Sequence, residues 1–191
     1  MKNTYDTYTA KIQNIEELRK STAFATGQYL KYYGCVPPLF VWFGRRGCGQ
    51  LNAPQFTDDA VKDKFVEECR LLCIAEEASV AIFATEAWKS NLGCADEAFD
   101  ASRDENRQEV VMVRIELPGN VSEIHFHSLK RNSGAKPRLG QCQILPGHLM
   151  SGRFSQFLPQ NPPTEIDRLI AGAHMQNHPR VKRVNFLFQT N

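Results

Sequence analysis

The chain lacks the features of a membrane-spanning or secreted protein. No apolar run approaches the ~20 residues that a membrane span needs. The first residues, MKNTYDTYTAKIQNIEEL, are polar and contain no apolar core of a secretory signal. Six cysteines are present, but none forms a CxxC motif. We therefore expect a cytoplasmic protein with reduced thiols and no contact with a membrane.

An excess of charge of one sign is also lacking. The 23 Lys and Arg residues against 21 Asp and Glu residues give a net charge of +2, which argues against a protein that binds polyanions over its whole surface. The glycine-rich turn at 44–49 is not a phosphate loop, because it lacks the Gly-Lys-Ser/Thr ending. No complete catalytic constellation is visible, so the sequence favours a binding protein over an enzyme.

The order of apolar patterns predicts an α+β fold. Helical patterns begin near Asn14 and Thr57, and short apolar runs at Leu39–Phe43 and Ser79–Trp88 predict buried strands. Further strands follow consecutively, over Glu109–Leu129 and Pro137–Leu145. We expect a mostly antiparallel sheet with helices packed on one side. A doubly wound α/β fold is the alternative, but it needs more crossover helices than this chain supplies.

The C-terminal part differs in character, because prolines divide it into short pieces. We predict a single α+β domain over residues 1–158 and a C-terminal appendage over residues 159–191. In the appendage Thr164 caps a helix that carries Ile166, Leu169, Ile170 and Ala173. A basic and apolar tail follows, with Val184–Phe188 as an edge strand or a docking segment.

Two strands joined by a turn at Leu117-Pro118-Gly119-Asn120 carry two of the five histidines. If Pro118-Gly119 is a two-residue turn, Arg114 lies opposite Glu123. In that register one face is apolar, and the other collects a row of polar side chains: Arg114, Glu116, Glu123, His125 and His127.

Alternating positions on one strand place Glu123, His125 and His127 on the same side. Such a trio can supply three ligands to zinc or iron. The spacing resembles the opening of the cupin metal motif, but the glutamate expected after the second histidine is absent. An exposed hairpin face that bears histidines by chance is the simpler interpretation.

Other polar groups are candidates for a binding surface. Arg114 and Glu116 belong to the polar row, and basic residues occur in the 44–49 turn and before the C-terminal apolar segment. The predicted binding residues are Arg114, Glu116, Arg45, Arg46, Arg180, Lys182 and Arg183. His174 and His178 have helical i, i+4 spacing, for which a position at a helix end is the simpler interpretation.

Four short motifs resemble a loose group of small uncharacterised bacterial and phage-type proteins of unknown function. They are Glu86-Ala87-Trp88, Arg107-Gln108-Glu109-Val110-Val111-Met112, Leu139-Gly140 and Gly152-Arg153-Phe154. The resemblance implies an intracellular bacterial or viral setting, and it brings no activity and no catalytic residue.

Three functions remain open. The first is a binding or accessory protein that acts on a protein partner or forms a homo-oligomer. The second is a metal-dependent hydrolase or oxygenase that uses His125 and His127. The third, less favoured, is a nucleic-acid-associated factor that uses the basic patches.

Overall fold

The computed structural model describes residues 15–90, 105–131, 134–150 and 152–183. These residues form three helices, namely α1 (Ile15–Tyr33), α2 (Asp59–Ala75) and α3 (Glu165–Met175), and a short 3-10 turn at Gly147–Leu149. They also form seven strands, namely β1 (Leu39–Gly44), β2 (Cys48–Asn52), β3 (Ala78–Lys89), β4 (Gln108–Leu117), β5 (Val121–Lys130), β6 (Arg138–Pro146) and β7 (Val181–Arg183). The strands make one sheet in the order β6-β5-β4-β3-β1-β2-β7, and all neighbours are antiparallel.

Local sequence explains where the helices begin and end. Asp58 caps α2 by accepting a hydrogen bond from the Val61 N–H at 2.9 Å, and Thr164 opens α3 with a capping box. Gly34 follows α1 with a positive φ of 76°, as expected for a glycine after a helix. Asn14, near which the first helical pattern begins, lies outside the described residues. No helix in the described ranges is long and apolar enough to cross a membrane.

Helices cover both faces of the sheet. Alternate residues of β3 point to opposite sides, so Phe83 packs against α2 and Ile82 packs against α1. The aromatic core around Phe40 and Trp42 lies on the α2 side. The predicted α+β class with an antiparallel sheet is confirmed. The helices, however, are divided between the two faces, because β3 is apolar on both sides and each side needs a cover.

The described part of the predicted appendage, residues 159–183, contributes to this same sheet and core. Met175 of α3 is 1 % exposed and joins the core of α2. β7 pairs with β2, with Val181 opposite Leu51. The segment Val184–Phe188, predicted as an edge strand or a docking segment, lies outside the described residues.

The hairpin between β4 and β5 forms, but the predicted register is wrong. Leu117 pairs with Val121, so the loop has three residues, and Gly119 and Asn120 both have positive φ. The added loop residue shifts the pairing by one position: Arg114 lies opposite Ile124. A shift of one residue changes which side chains share a face.

The predicted polar row is therefore divided between the two faces of the sheet. Arg114 and Glu116 lie on the α2 side. Glu123, His125 and His127 lie on the α1 side, beside the valines of β4.

Candidate metal centre

The two hairpin histidines lie on the sheet face that α1 covers, next to the outermost strand. The pairing of β5 with β6 places Cys142 opposite His127 and Ile144 opposite His125. On the other side of β5, Val113 lies opposite His125. Opposite residues of an antiparallel pair share a face, so the cysteine thiol and both imidazoles point to the same side.

His125, His127 and Cys142 form what we term the His–Cys cluster. One ligand atom from each residue lies within 4.8 Å of the other two. His127 Nε2 lies 3.7 Å from Cys142 Sγ. The ring centroids of the two histidines are 6.3 Å apart. Both histidines are buried, at 1 % and 6 % exposure, whereas Cys142 is exposed. The cluster thus has a buried floor and a side open to solvent.

Glu123 orients the cluster, and Arg19 of α1 holds Glu123. The Arg19 Nε donates to Glu123 Oε2 at 2.9 Å, and the Arg19 Nη2 donates to Glu123 Oε1 at 2.5 Å. Glu123 Oε2 also lies 3.1 Å from His125 Nε2. Both carboxylate oxygens are therefore engaged, and a His125 Nε2–H that donates to Glu123 leaves Nδ1 as the basic nitrogen of that ring.

Charge and burial set the protonation of the cluster. The hydrogen bond from Arg19 lowers the pKa of Glu123, so this carboxylate stays ionised. Burial lowers the pKa of His127, and the neighbouring His125 lowers it further, which favours a neutral imidazole. Burial raises the pKa of the Cys142 thiol, while the positive charge of Arg19 opposes that rise. A metal ion at this place would have to displace the thiol proton.

The donor set suits a borderline-soft transition metal. Zinc bonds of about 2.0–2.1 Å to nitrogen and 2.3 Å to sulfur place tetrahedral ligand atoms roughly 3.3–3.8 Å apart. The separation between His127 and Cys142 already lies in that range. The widest separation in the cluster, up to 4.8 Å, needs a closing movement of about 1 Å to reach the same range.

The structure brings together two of the three predicted metal ligands and changes the role of the third. His125 and His127 are adjacent as predicted, but Glu123 is engaged by Arg19. Cys142 is in the better position for a third ligand. The sequence predicts a strand that contains Cys142, but it does not specify the register in which that strand pairs with β5.

Arg114 and Glu116, predicted as part of a binding surface, form a buried ion pair on the opposite side of the sheet. The Arg114 Nε donates to Glu116 Oε1 at 2.7 Å, and the side chains are 8 % and 7 % exposed. Glu116 also accepts three backbone N–H bonds from residues 156–158. The pair anchors the segment that follows β6, and its burial keeps it from contacting a partner directly.

Three of the predicted basic residues pair with carboxylates in the link between α2 and β3. Arg45 and Arg46 both donate from Nε to Glu77, at 2.7 Å and 2.8 Å. The Arg183 Nη2 lies 2.7 Å from Glu76 Oε1. A phosphate group would have to displace these carboxylates.

Arg180, the other predicted arginine of the C-terminal segment, is also paired with a carboxylate. The Arg180 Nη2 donates to the buried Glu68, and His178 Nε2 lies 3.4 Å from the same carboxylate. Lys182 is exposed on β7. The predicted helical pair of His174 and His178 does not form on one helix, because α3 ends at Met175.

Two of the four motifs that resemble small bacterial and phage-type proteins make structural contacts, and a third contributes Val111, which lies opposite His127. Glu86 accepts hydrogen bonds from the Val36 N–H and from Arg131, and Arg153 pairs with Asp59. These contacts are structural. The resemblance stays a prediction, since no protein-family model, no curated protein and no solved structure matches this chain.

Proposed function

We propose that this protein binds a transition-metal ion, with Zn²⁺ as the best fit, through His125, His127 and Cys142. The supporting observation is the convergence of three ligand-type atoms within 4.8 Å, from two adjacent strands. Two imidazoles and one thiolate are common zinc ligands, and three protein ligands leave a fourth position for a water or substrate. The exposed side of Cys142 is where that position would face solvent.

Glu123 and Arg19 would act as a supporting pair. A carboxylate that accepts from the other nitrogen of a ligating histidine fixes the ring orientation and makes the ligand more basic. The contact between Glu123 and His125 has this form. An iron site of the two-histidine, one-carboxylate type has less support, because Arg19 occupies both oxygens of Glu123.

A zinc ion with an open position supplies a water of lowered pKa, which is the chemistry of a hydrolase. Metal binding is the part of the proposal that the donor set supports, and hydrolysis is the reaction class that would follow from it. A reducing cytoplasm agrees with the proposal, because it would keep Cys142 available as a thiol. No disulfide joins the cysteines in the described part of the chain.

Metal analysis of the purified full-length chain tests the proposal. The protein is incubated with Zn²⁺, dialysed and analysed for metal, beside the variants His127→Ala and Cys142→Ser. We expect about one zinc per chain in the parent and its loss in both variants, because a structural or catalytic zinc site needs at least three protein ligands. Co²⁺ substitution adds a second readout, since a thiolate–cobalt charge-transfer band is expected in the parent and not in Cys142→Ser.

Matched controls use the same residue types on exposed surfaces. Cys35→Ser and His174→Ala remove an exposed cysteine and an exposed histidine, and both should keep the zinc. Glu123→Gln should keep the site but weaken zinc affinity by roughly 10–100-fold, the usual effect of losing a supporting partner. The proposal is wrong if the parent retains no metal, or if Cys142→Ser and His127→Ala retain as much zinc as the controls.

A further inference from the structure

The outer side of α3 carries an apolar stripe that faces away from the core. Three large side chains at i, i+3 and i+4 spacing are mostly exposed, namely Ile166 (68 %), Leu169 (66 %) and Ile170 (63 %). Ala173 continues the same side and is also exposed. The helix packs against α2 through its opposite side, where Ala171 and Met175 are each 1 % exposed. A contiguous exposed apolar stripe of this kind marks an interaction surface.

We propose that this α3 stripe (Ile166, Leu169, Ile170 and Ala173) binds the α3 stripe of a second copy of the chain, with the two helices antiparallel. The proposal rests on the self-complementarity of the stripe. A two-fold axis between Leu169 and Ile170 places Leu169 against Ile170 of the second copy. The same axis places the bulky Ile166 against the small Ala173 of the second copy. A two-fold interface requires a patch that fits itself in this way.

Charge at the helix ends supports the antiparallel arrangement. Asp167 in the first turn and His174 in the last turn lie on the same flank of the stripe, because seven residues make about two helical turns, and the same axis therefore brings Asp167 close to His174 of the second copy. Acidic residues occupy the first turn of the helix, and His174 is the basic residue in its last turn. Antiparallel pairing therefore sets an acidic end against a basic end at both sides of the contact, and it also sets the two helix dipoles head to tail. Parallel pairing would place like ends together.

The size of the stripe sets the strength of the dimer. A helix of 11 residues is about 16 Å long and about 10 Å wide, so its face is well below the ~800 Å² per partner of a stable interface. We therefore expect a weak dimer whose population rises with concentration.

Sedimentation equilibrium of the full-length chain over a wide concentration range tests the proposal. We expect the apparent mass to rise from monomer towards dimer, and Leu169→Glu to weaken dimerisation at least about tenfold by placing a charge at the centre of the contact. Phe24→Glu is the matched control, because Phe24 is 69 % exposed on the outer side of α1. It should leave the equilibrium unchanged. Circular dichroism checks that each variant keeps its fold.

A pair of charge substitutions tests the antiparallel register. His174→Glu should weaken the dimer, because it sets a second carboxylate against Asp167 of the second copy, and adding Asp167→Asn in the same chain should restore it, since asparagine removes the repulsion and can still accept the capping hydrogen bond from the Thr164 N–H. An unmodified protein that stays monomeric at every concentration overturns the proposal. A dimer that Leu169→Glu leaves intact, or that the double substitution fails to restore, overturns it as well.

Discussion

Glu116 is a buried residue outside the hydrophobic core whose replacement the structure predicts to be strongly destabilising. Its carboxylate is buried and accepts four hydrogen bonds. Oε1 accepts from the Arg114 Nε at 2.7 Å and the Gln156 N–H at 2.8 Å. Oε2 accepts from the Phe157 N–H at 2.7 Å and the Leu158 N–H at 3.2 Å. One side chain therefore fixes both a buried guanidinium and the segment that follows β6.

Glu116→Gln keeps the shape of the side chain but removes its charge and one acceptor oxygen. The new NH₂ group faces two donors whichever way the amide is turned, so two hydrogen bonds are lost. Hydrogen bonds to a charged group contribute about 1.5–3 kcal/mol each, and leaving one member of a buried ion pair uncompensated costs about 3–5 kcal/mol. These contributions overlap, so we expect the free energy of unfolding to fall by about 3–5 kcal/mol.

Urea unfolding followed by circular dichroism measures this loss, and it should be large against a total of roughly 5–15 kcal/mol. Glu67→Gln, an exposed position on α2, is the control and should change the free energy of unfolding by less than about 0.5 kcal/mol. A loss below about 1 kcal/mol for Glu116→Gln would refute the reasoning, because that is the value of an exposed ion pair.

Two further predictions concern Gly49 of β2 and the loss of stability at acidic pH. Gly49→Ala should lower the free energy of unfolding by about 1–3 kcal/mol, because the added Cβ would lie 2.5 Å from the Lys182 carbonyl oxygen and 2.8 Å from the Trp42 ring. Gly27→Ala, with nothing within 4 Å, should be neutral or stabilising in the same urea titration, and equal losses would contradict this explanation. Hydrogen bonds from Arg45 and then Arg46 lower the pKa of Glu77 from 4.5 to about 2. Ionised Glu77 therefore stabilises the fold above pH 4.5, and this contribution is lost as the pH falls towards 2. Glu77→Gln should make the melting temperature fall less steeply across that range, and an unchanged slope would argue against the ion pairs.

Local patterns in the sequence predicted much of the fold. The starts of α2, near Thr57, and of α3, at Thr164, were predicted because a helix cap needs only a few neighbouring residues. The segment of β3 was predicted as a buried strand from its apolar run, and it lies in the middle of the sheet. The length of the β4–β5 loop was not predictable in the same way, since a proline-glycine turn tolerates either two or three loop residues. That single residue decided which polar side chains share a face.

The candidate site was predictable only in part, because its members come from distant segments. His125 and His127 are two residues apart, so their common side follows from strand geometry. Arg19 and Glu123 are 104 residues apart, and only the packing of α1 on the sheet joins them. Cys142 required the pairing register of β5 with β6, which a sequence pattern does not specify. The exposed face of α3 was also missed, since helical periodicity identifies an apolar stripe but not what covers it.

The position of Cys142 on β6 has a consequence for the lifetime of any complex at the His–Cys cluster. Within the described residues β6 is the outermost strand and pairs with β5 alone, so its hydrogen bonds are the first in that half of the sheet to open. Each opening of this edge would carry the thiol away from the two buried imidazoles. The rate at which an ion leaves would then be limited by fraying of the edge strand, and a bound ion would in turn hold that edge closed.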